Sequence, residues 1–210
     1  WENALPPYLK LAYLPNPGAV RLRLSAYEVE GESVAREIER QFEALHRIIP
    51  HNVLGYETAT MQELVHRILT ERRQTLATAE SCTGGMIASR FTAMPGASAY
   101  FLCGVVSYSN EAKIRVLGVD ADTIARYGAV SEQVARQMAE GVRRVAGADY
   151  AIATTGIAGP TGGSAEKPVG TVWIAVATPA GTVAQCRQCG TDRGQIIDRA
   201  SAFAIGLLRD

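Results

Sequence analysis

The chain has 210 residues, of which 47% are apolar and 20% are charged, enough for one large or two small globular domains. Lysine plus arginine and aspartate plus glutamate both number 21, which excludes the basic field of many nucleic-acid-binding proteins. The sequence has no run of about 18 apolar residues and no signal-peptide pattern, so we expect a cytoplasmic protein that binds neither nucleic acid nor membranes. Because it begins at Trp1, we interpret the chain as a piece of a longer protein.

Residues 1–58 read as a small α+β unit. Apolar residues and arginines alternate over 20–24, which together with 11–13 predicts two strands joined by a turn at Pro15–Gly18. An apolar stripe predicts a helix over 33–46. A KH-type arrangement is one interpretation, although the G-x-x-G segment that clamps RNA in KH modules is absent.

From residue 59 onward, helical and strand patterns alternate, which predicts an α/β domain. Thr60 and Glu63 have the spacing of a capping box, at the start of a helix that extends to Arg73. The further predicted elements are a strand over 75–79, a helix over 84–94, a strand over 102–108, a helix beginning at Ser109 or Asn110, helices over 120–127 and 132–146, a strand over 149–155, an antiparallel pair over 169–178 and 182–189, and a helix over 192–209.

The stretch Thr78–Gly85 lies where a buried strand gives way to a helix. Its small residues and two glycines allow a sharp turn that presents free N–H groups at a helix start, a favourable place for an oxyanion or a phosphate. Ser81 and Cys82 are two candidate nucleophiles in this turn. A serine at this position is also a common helix N-cap.

Groups able to exchange protons are scarce after this turn. All three histidines precede Thr78, and among the basic residues only Lys10, Lys113 and Lys167 are lysines. The others are arginines, which keep their proton at any usable pH. A cation such as Lys113 in the first turns of a helix is electrostatically misplaced, which lowers its pKa towards that of a general base. The alternative is an exposed surface lysine.

Two further segments are candidates for ligand contacts. The loop that begins at Gly156, after a buried strand, is rich in glycine and suits a ligand wall, or else a flexible hairpin tip. Arg193 begins the last helix and either reaches a phosphate or pairs with Asp192. Cys186 and Cys189 form a C-x-x-C pair without partners to complete a zinc site, so we predict no metal and no cofactor.

Five segments, taken together and in this order, resemble the CinA C-terminal domain family, known as nicotinamide-nucleotide amidohydrolases: Thr78–Gly85, Tyr108–Lys113, Gly128–Ser131, Gly156–Pro160 and Glu166–Thr171. The resemblance covers about residue 60 to the end. Residues 1–58 look like the linker domain of longer CinA proteins. In those proteins a nucleotide-hydrolysing domain precedes the linker domain, and this sequence does not include it.

The resemblance implies a three-layer α/β/α domain with a mixed sheet over 59–210, preceded by the linker domain. It also implies a homo-oligomer and hydrolysis of the carboxamide of nicotinamide mononucleotide to nicotinic acid mononucleotide and ammonia. The family's catalytic serine, tyrosine and lysine fall on Ser81, Tyr108 and Lys113. We expect the substrate-binding residues to be Glu80, Cys82, Thr83, Gly84, Gly85, Asn110, Thr155, Gly156, Gly159 and Arg193.

This chemistry needs a nucleophile, a base, an acid for the leaving ammonia and donors for an oxyanion. We expect Ser81 to attack, Lys113 and Tyr108 to move the proton, and the amides around Cys82–Gly84 to hold the oxyanion. A thiol with a lowered pKa at Cys82 is the competing nucleophile. The rival functions are a non-catalytic nucleotide-binding regulatory module and a metal-dependent phosphate-ester hydrolase that uses Glu80, Asp149 and Glu166.

Overall fold

The computed structural model describes residues 1–16, 19–29, 31–50, 52–53, 55–56 and 60–209. The chain divides into two compact units, Trp1–Ala59 and Thr60–Asp210. The centre of the predicted turn, at Pro17 and Gly18, and the predicted domain boundary after residue 58 lie outside the described residues.

The first unit contains one hairpin and one long helix. Strands β1 (Leu9–Asn16) and β2 (Ala19–Ala26) pair antiparallel, from Leu9 opposite Ala26 to Asn16 opposite Ala19. Helix α1 (Glu32–Ile48) follows. Both strands extend beyond the predicted ranges because the ladder continues through Leu9 at one end, where a buried leucine anchors it.

The second unit is built on a mixed sheet of five strands: β3 (Leu76–Glu80), β4 (Phe101–Val106), β5 (Tyr150–Gly156), β6 (Thr171–Thr178) and β7 (Gly181–Gln188). Their order across the sheet is β4-β3-β5-β6-β7. Strand β3 is parallel to both of its neighbours, β4 and β5. Strand β6 is antiparallel to β5, and β7 is antiparallel to β6.

Helices cover both faces of this sheet, which confirms the predicted three-layer α/β/α fold. The helix bounds are α2 (Met61–Arg72), α3 (Met86–Thr92), α4 (Asn110–Leu117), α5 (Ala121–Tyr127), α6 (Glu132–Ala146) and α7 (Arg193–Arg209). One buried cluster joins α2, α3 and α7 to Leu76, Ile152 and Ile174 of the sheet. The other joins α4, α5 and α6 to the opposite face.

The helix starts follow the capping chemistry read from the sequence. The Glu63 amide donates to Thr60 Oγ1 (3.3 Å) and the Thr60 amide donates to the Glu63 carboxylate (2.6 Å), which confirms the capping box. Ser131 caps α6, and Ser109 rather than Asn110 caps α4, where its Oγ accepts the Ala112 amide at 3.0 Å. None of the helices in the described part of the chain is long and apolar enough to cross a membrane.

Small residues bring α6 close to the sheet and to α4. The sheet face beneath α6 is made of alanines, which let the helix backbone approach the strands: Ala77, Ala79, Ala151, Ala153, Ala175 and Ala177. Within α6, Gly141 lies directly against the Leu117 carbonyl at the end of α4. Since α4 carries Lys113, this contact helps to set the position of that side chain.

Gly141→Ala tests this close packing. An added Cβ would overlap the Leu117 carbonyl oxygen, so we expect a loss of about 1–3 kcal/mol in the free energy of unfolding. Gly206→Ala in α7 is the matched control, because its Cβ would meet no heavy atom within 4 Å and should stabilise by about 0.5–1 kcal/mol. Urea unfolding of both variants checks the pair, and equal stabilisation by the two substitutions would contradict the packing described.

Candidate active site

Three strand ends meet at one edge of the sheet. The parallel strands β3, β4 and β5 all run towards this edge, with β3 between the other two. The chain leaves β3 for β4 on one side and later returns to β5 on the other side. This reversal of direction is where α/β proteins leave a crevice at the carboxyl ends of their strands.

A cavity of about 330 Å³ occupies this position. Most of the predicted site residues line it: Ser81, Cys82, Tyr108, Asn110, Lys113, Thr155, Gly156, Gly159 and Arg193. Glu80, Thr83, Gly84 and Gly85 are not among its lining residues. The cavity wall also includes Ala129 and Val130, before α6, and the glycine-rich loop through Gly162.

Lys113 and Ser81 form the centre of the site. The Lys113 ammonium donates to Ser81 Oγ at 3.1 Å and to the Ser107 carbonyl at 2.8 Å. The Tyr108 carbonyl lies at 3.4 Å from the same nitrogen. Lys113 is only 1% exposed, so it is a buried polar group rather than the surface lysine that was the alternative.

The pKa of Lys113 is lowered from its ordinary value, and burial is the main cause. The predicted cause was the start of α4, so the direction agrees with the expectation while the physical reason is different. A negative charge on nearby Cys82 would act in the opposite direction. A lowered pKa increases the fraction of the amine that is neutral at a given pH, and a neutral amine can take the serine proton.

Cys82 is poorly suited to act as the nucleophile. Its side chain is 5% exposed and belongs to the core cluster with α3 and α7. Burial raises the pKa of the thiol to about 12, the opposite of the lowering expected at a helix start. A thiol with this pKa carries almost no thiolate at neutral pH, which favours Ser81 as the attacking group.

The free N–H groups expected at the start of α3 are already occupied by Glu80. Its carboxylate accepts the amides of Gly85 (3.0 Å), Ile87 (3.1 Å) and Ala88 (2.8 Å). The residue is 1% exposed and is not among the residues that line the cavity. Glu80 therefore has a structural role in place of the predicted substrate contact, and the start of α3 offers no place for a phosphate.

The remaining predicted residues of the turn are also structural. The Thr83 hydroxyl lies 2.7 Å from the Thr154 hydroxyl, and Thr83 is buried. Gly84 and Gly85 have φ values of 62° and 97°, a conformation that favours glycine. These three residues shape the turn that carries Ser81 without reaching the cavity.

Tyr108 and Arg193 meet at the cavity wall. Arg193 donates to the Tyr108 hydroxyl (2.9 Å) and to the Gly159 carbonyl (2.8 Å). The predicted alternative, a pair between Arg193 and Asp192, does not form, since the Asp192 carboxylate accepts the Gln195 amide instead. Arg193 thus joins the start of α7, the end of β4 and the glycine-rich loop.

Thr155 and Lys167 each make a hydrogen bond to the segment that precedes α6. The Thr155 hydroxyl donates to the Ala129 carbonyl (2.8 Å), and the Lys167 ammonium donates to the Tyr127 carbonyl (2.8 Å). These contacts tie β5 and its glycine-rich loop to the segment before α6. Asn110 lines the cavity at the first turn of α4.

Ser107 is the site residue that sequence reasoning missed. Its carbonyl holds the Lys113 ammonium, its amide donates to the Glu80 carbonyl (2.9 Å), and the residue is fully buried. Its contribution comes from the backbone, which any residue type could supply, so the sequence carried no signal for it.

Within the part of the chain that the structure describes, no group of three His, Cys, Asp or Glu side chains could hold a metal ion.

Comparisons with known proteins agree with this architecture. The model of the CinA C-terminal domain family matches residues 58–210, so the chain belongs to the CinA family. The chain is 46% identical over 209 residues to a CinA-like protein of Flavobacterium psychrophilum, in an alignment that covers 99% of this chain and 50% of the relative. It spans about half the length of the curated relatives it matches.

Solved structures of the same superfamily share the fold. Competence damage-inducible protein A of Klebsiella pneumoniae is 40% identical with a TM-score of 0.68, over 70% of this chain and 92% of that chain. Competence/damage inducible protein CihA of Agrobacterium tumefaciens is 41% identical with a TM-score of 0.69, over 74% of this chain and 97% of that chain.

Lys113→Met should change how stability depends on pH. Because the folded protein lowers the pKa of Lys113, the unfolded chain binds more protons between that pKa and the ordinary value of about 10.4. The free energy of unfolding of the wild type, relative to Lys113→Met, should therefore rise with pH across this window. Urea unfolding over a pH series measures the difference, with the exposed Lys10→Met as the control. A flat or falling difference would contradict the burial of Lys113 as a titrating group.

Proposed function

We propose that the protein hydrolyses the carboxamide of nicotinamide mononucleotide to nicotinic acid mononucleotide and ammonia. The observation that carries the proposal is the 3.1 Å hydrogen bond between Lys113 Nζ and Ser81 Oγ in the wall of a cavity. The cavity volume of about 330 Å³ lies at the small end of the range of ligand pockets. Membership of the CinA family supports the choice of substrate through the resemblance of the catalytic segments.

In the first half of the reaction, Ser81 Oγ attacks the carboxamide carbon while its proton moves to the neutral Lys113 amine. The carbonyl oxygen becomes an oxyanion, which needs hydrogen-bond donors close to Ser81. The carbon–nitrogen bond then breaks as the Lys113 ammonium returns a proton to the leaving amine, with Tyr108, which also lines the cavity, as the second proton-transfer group. Ammonia leaves and an ester between Ser81 and the nucleotide remains.

In the second half, water attacks the ester and gives its proton to Lys113, and Ser81 leaves with that proton. Because the attacking form of the site contains neutral Lys113, the rate should rise with pH through the pKa of this residue. Every proton transfer in the cycle uses groups that line the cavity. The scheme has no step that needs a metal ion.

Arg193 is the candidate contact for the 5′-phosphate of the nucleotide. Its guanidinium lies in the cavity wall and already donates to two neutral oxygens, of Tyr108 and Gly159. A phosphate is a stronger acceptor than either because it carries charge.

In the full-length protein, we propose that this domain acts as a homo-oligomer next to a nucleotide-hydrolysing domain.

Ser81→Ala and Cys82→Ala distinguish the two candidate nucleophiles. We expect Ser81→Ala to lower turnover by about 10³-fold or more, because the attacking oxygen is lost. Cys82→Ala should retain turnover within about tenfold, since it removes a buried thiol and keeps the backbone amide. Ammonia release from nicotinamide mononucleotide, with and without EDTA, measures both variants.

Three results would overturn the proposal. Full turnover by Ser81→Ala together with loss in Cys82→Ala would make the thiol the nucleophile. Loss of wild-type activity with EDTA would indicate a metal-dependent hydrolase. Binding of the nucleotide by the wild type without ammonia release would indicate a regulatory nucleotide-binding module.

A further inference from the structure

Glu80 ties the end of β3 to the first turn of α3. Its backbone carbonyl accepts the Ser107 amide (2.9 Å), while its carboxylate reaches across the turn to the amides of Gly85, Ile87 and Ala88 at 2.8–3.1 Å. The residue lies next to Ser81 in the chain and is 1% exposed. The four residues 81–84 are thus held at both ends by one buried residue, through its backbone carbonyl on one side and its carboxylate on the other.

The other amides of the turn are accounted for by backbone hydrogen bonds. Ser81 donates to the Thr154 carbonyl (3.0 Å), Gly84 donates to the Ser81 carbonyl (3.1 Å), and Met86 donates to the Thr83 carbonyl (3.1 Å). The amides of Cys82 and Thr83 are the two that donate to no backbone carbonyl in the described part of the chain. Of these two, the Cys82 amide directly follows the nucleophile, the position from which hydrolases with a nucleophilic serine take an oxyanion donor, and Cys82 lines the cavity.

We propose that Glu80 is a positioning residue that keeps the amide of Cys82 available and oriented as an oxyanion donor for Ser81. This inference rests on the proposed function. It narrows the expected oxyanion donors from the amides around Cys82–Gly84 to the amide of Cys82, because Gly84 donates within the turn and Thr83 does not line the cavity. This role belongs to the Cys82 backbone, and the burial of the Cys82 thiol does not prevent it. It also explains why a carboxylate stands immediately before the nucleophile without entering the cavity.

The charge and shape of Glu80 are both required for this role. A carboxylate has acceptor capacity on two oxygens and forms charge-assisted bonds, which are roughly twice as strong as neutral ones. In Glu80→Gln, one oxygen is replaced by an NH₂ group that cannot accept a backbone amide. At least one of the three bonds is then lost, and the turn is free to rotate its amides away from the oxyanion.

Kinetics with nicotinamide mononucleotide separate positioning from general damage. We expect Glu80→Gln to lower kcat by about 10- to 100-fold, the range produced by a small misplacement of catalytic groups. KM should stay within about twofold, because Glu80 does not line the cavity. The midpoint of the pH–rate profile should not move, since Glu80 is not among the groups that shift the pKa of Lys113. The exposed Glu140→Gln is the control and should match the wild type.

A fluorophosphonate probe tests the inference without the nucleotide. Ser81 Oγ forms a bond to phosphorus, fluoride leaves, and the serine proton moves to Lys113, while the phosphoryl oxygen uses the same donors as the oxyanion. Labelling of Ser81 in the wild type and a 10- to 100-fold slower rate in Glu80→Gln, at a temperature where both are folded, would support the inference. If Glu80→Gln does not fold, Glu80→Asp decides, and it should label more slowly than the wild type.

The outcomes keep the two proposals apart. Labelling of the wild type without ammonia release from the nucleotide would contradict the proposed substrate and leave the role of Glu80 supported by the probe rates. Equal labelling rates in the wild type and the folded Glu80 variant would overturn the role of Glu80. A loss of kcat accompanied by a large rise in KM and a shifted pH midpoint would also overturn it, because such a pattern indicates a distorted cavity.

Discussion

The hydrogen bond between the buried Lys113 amine and Ser81 is the interaction on which the rest of the site depends. Burial of a lysine is costly unless its nitrogen has partners. Here the partners are the Ser81 hydroxyl and two carbonyls at the end of β4. The same burial that makes the residue costly lowers its pKa and so makes it useful as a base. In the proposed reaction, Lys113 therefore serves as the base in a chain that has no histidine beyond His66.

The fold supplies the geometry for this pair through its backbone. The alanine face of the sheet and Gly141 let α6 pack closely, and α6 in turn supports α4, which carries Lys113. The central position of β3 places Ser81 between the ends of β4 and β5. Glu80 then closes the first turn of α3, so the positive end of that helix is neutralised inside the protein and is unavailable to a ligand.

Local patterns in the sequence predicted the elements well because caps and periodicity are local properties. The capping box at Thr60, the cap at Ser131 and the alternation of helices and strands are all present in the structure. The clustering of Ser81 and Lys113 was also predictable, from the resemblance of several segments to one family. The sequence did not predict the tertiary environment of the site residues. The burial of Cys82, the amides held by Glu80 and the carbonyl of Ser107 depend on neighbours that are distant in the chain.

The titration of Lys113 is the most direct test of this account. The protein has only three lysines, so labelling of lysine with ¹⁵N gives few side-chain signals, and Lys113→Met assigns the one that matters. Nuclear magnetic resonance over a pH series then measures the pKa of the amine in the folded protein. We predict a midpoint clearly below the ordinary value of about 10.4. A midpoint at or above that value would mean that Lys113 stays charged at physiological pH and cannot serve as the base for Ser81.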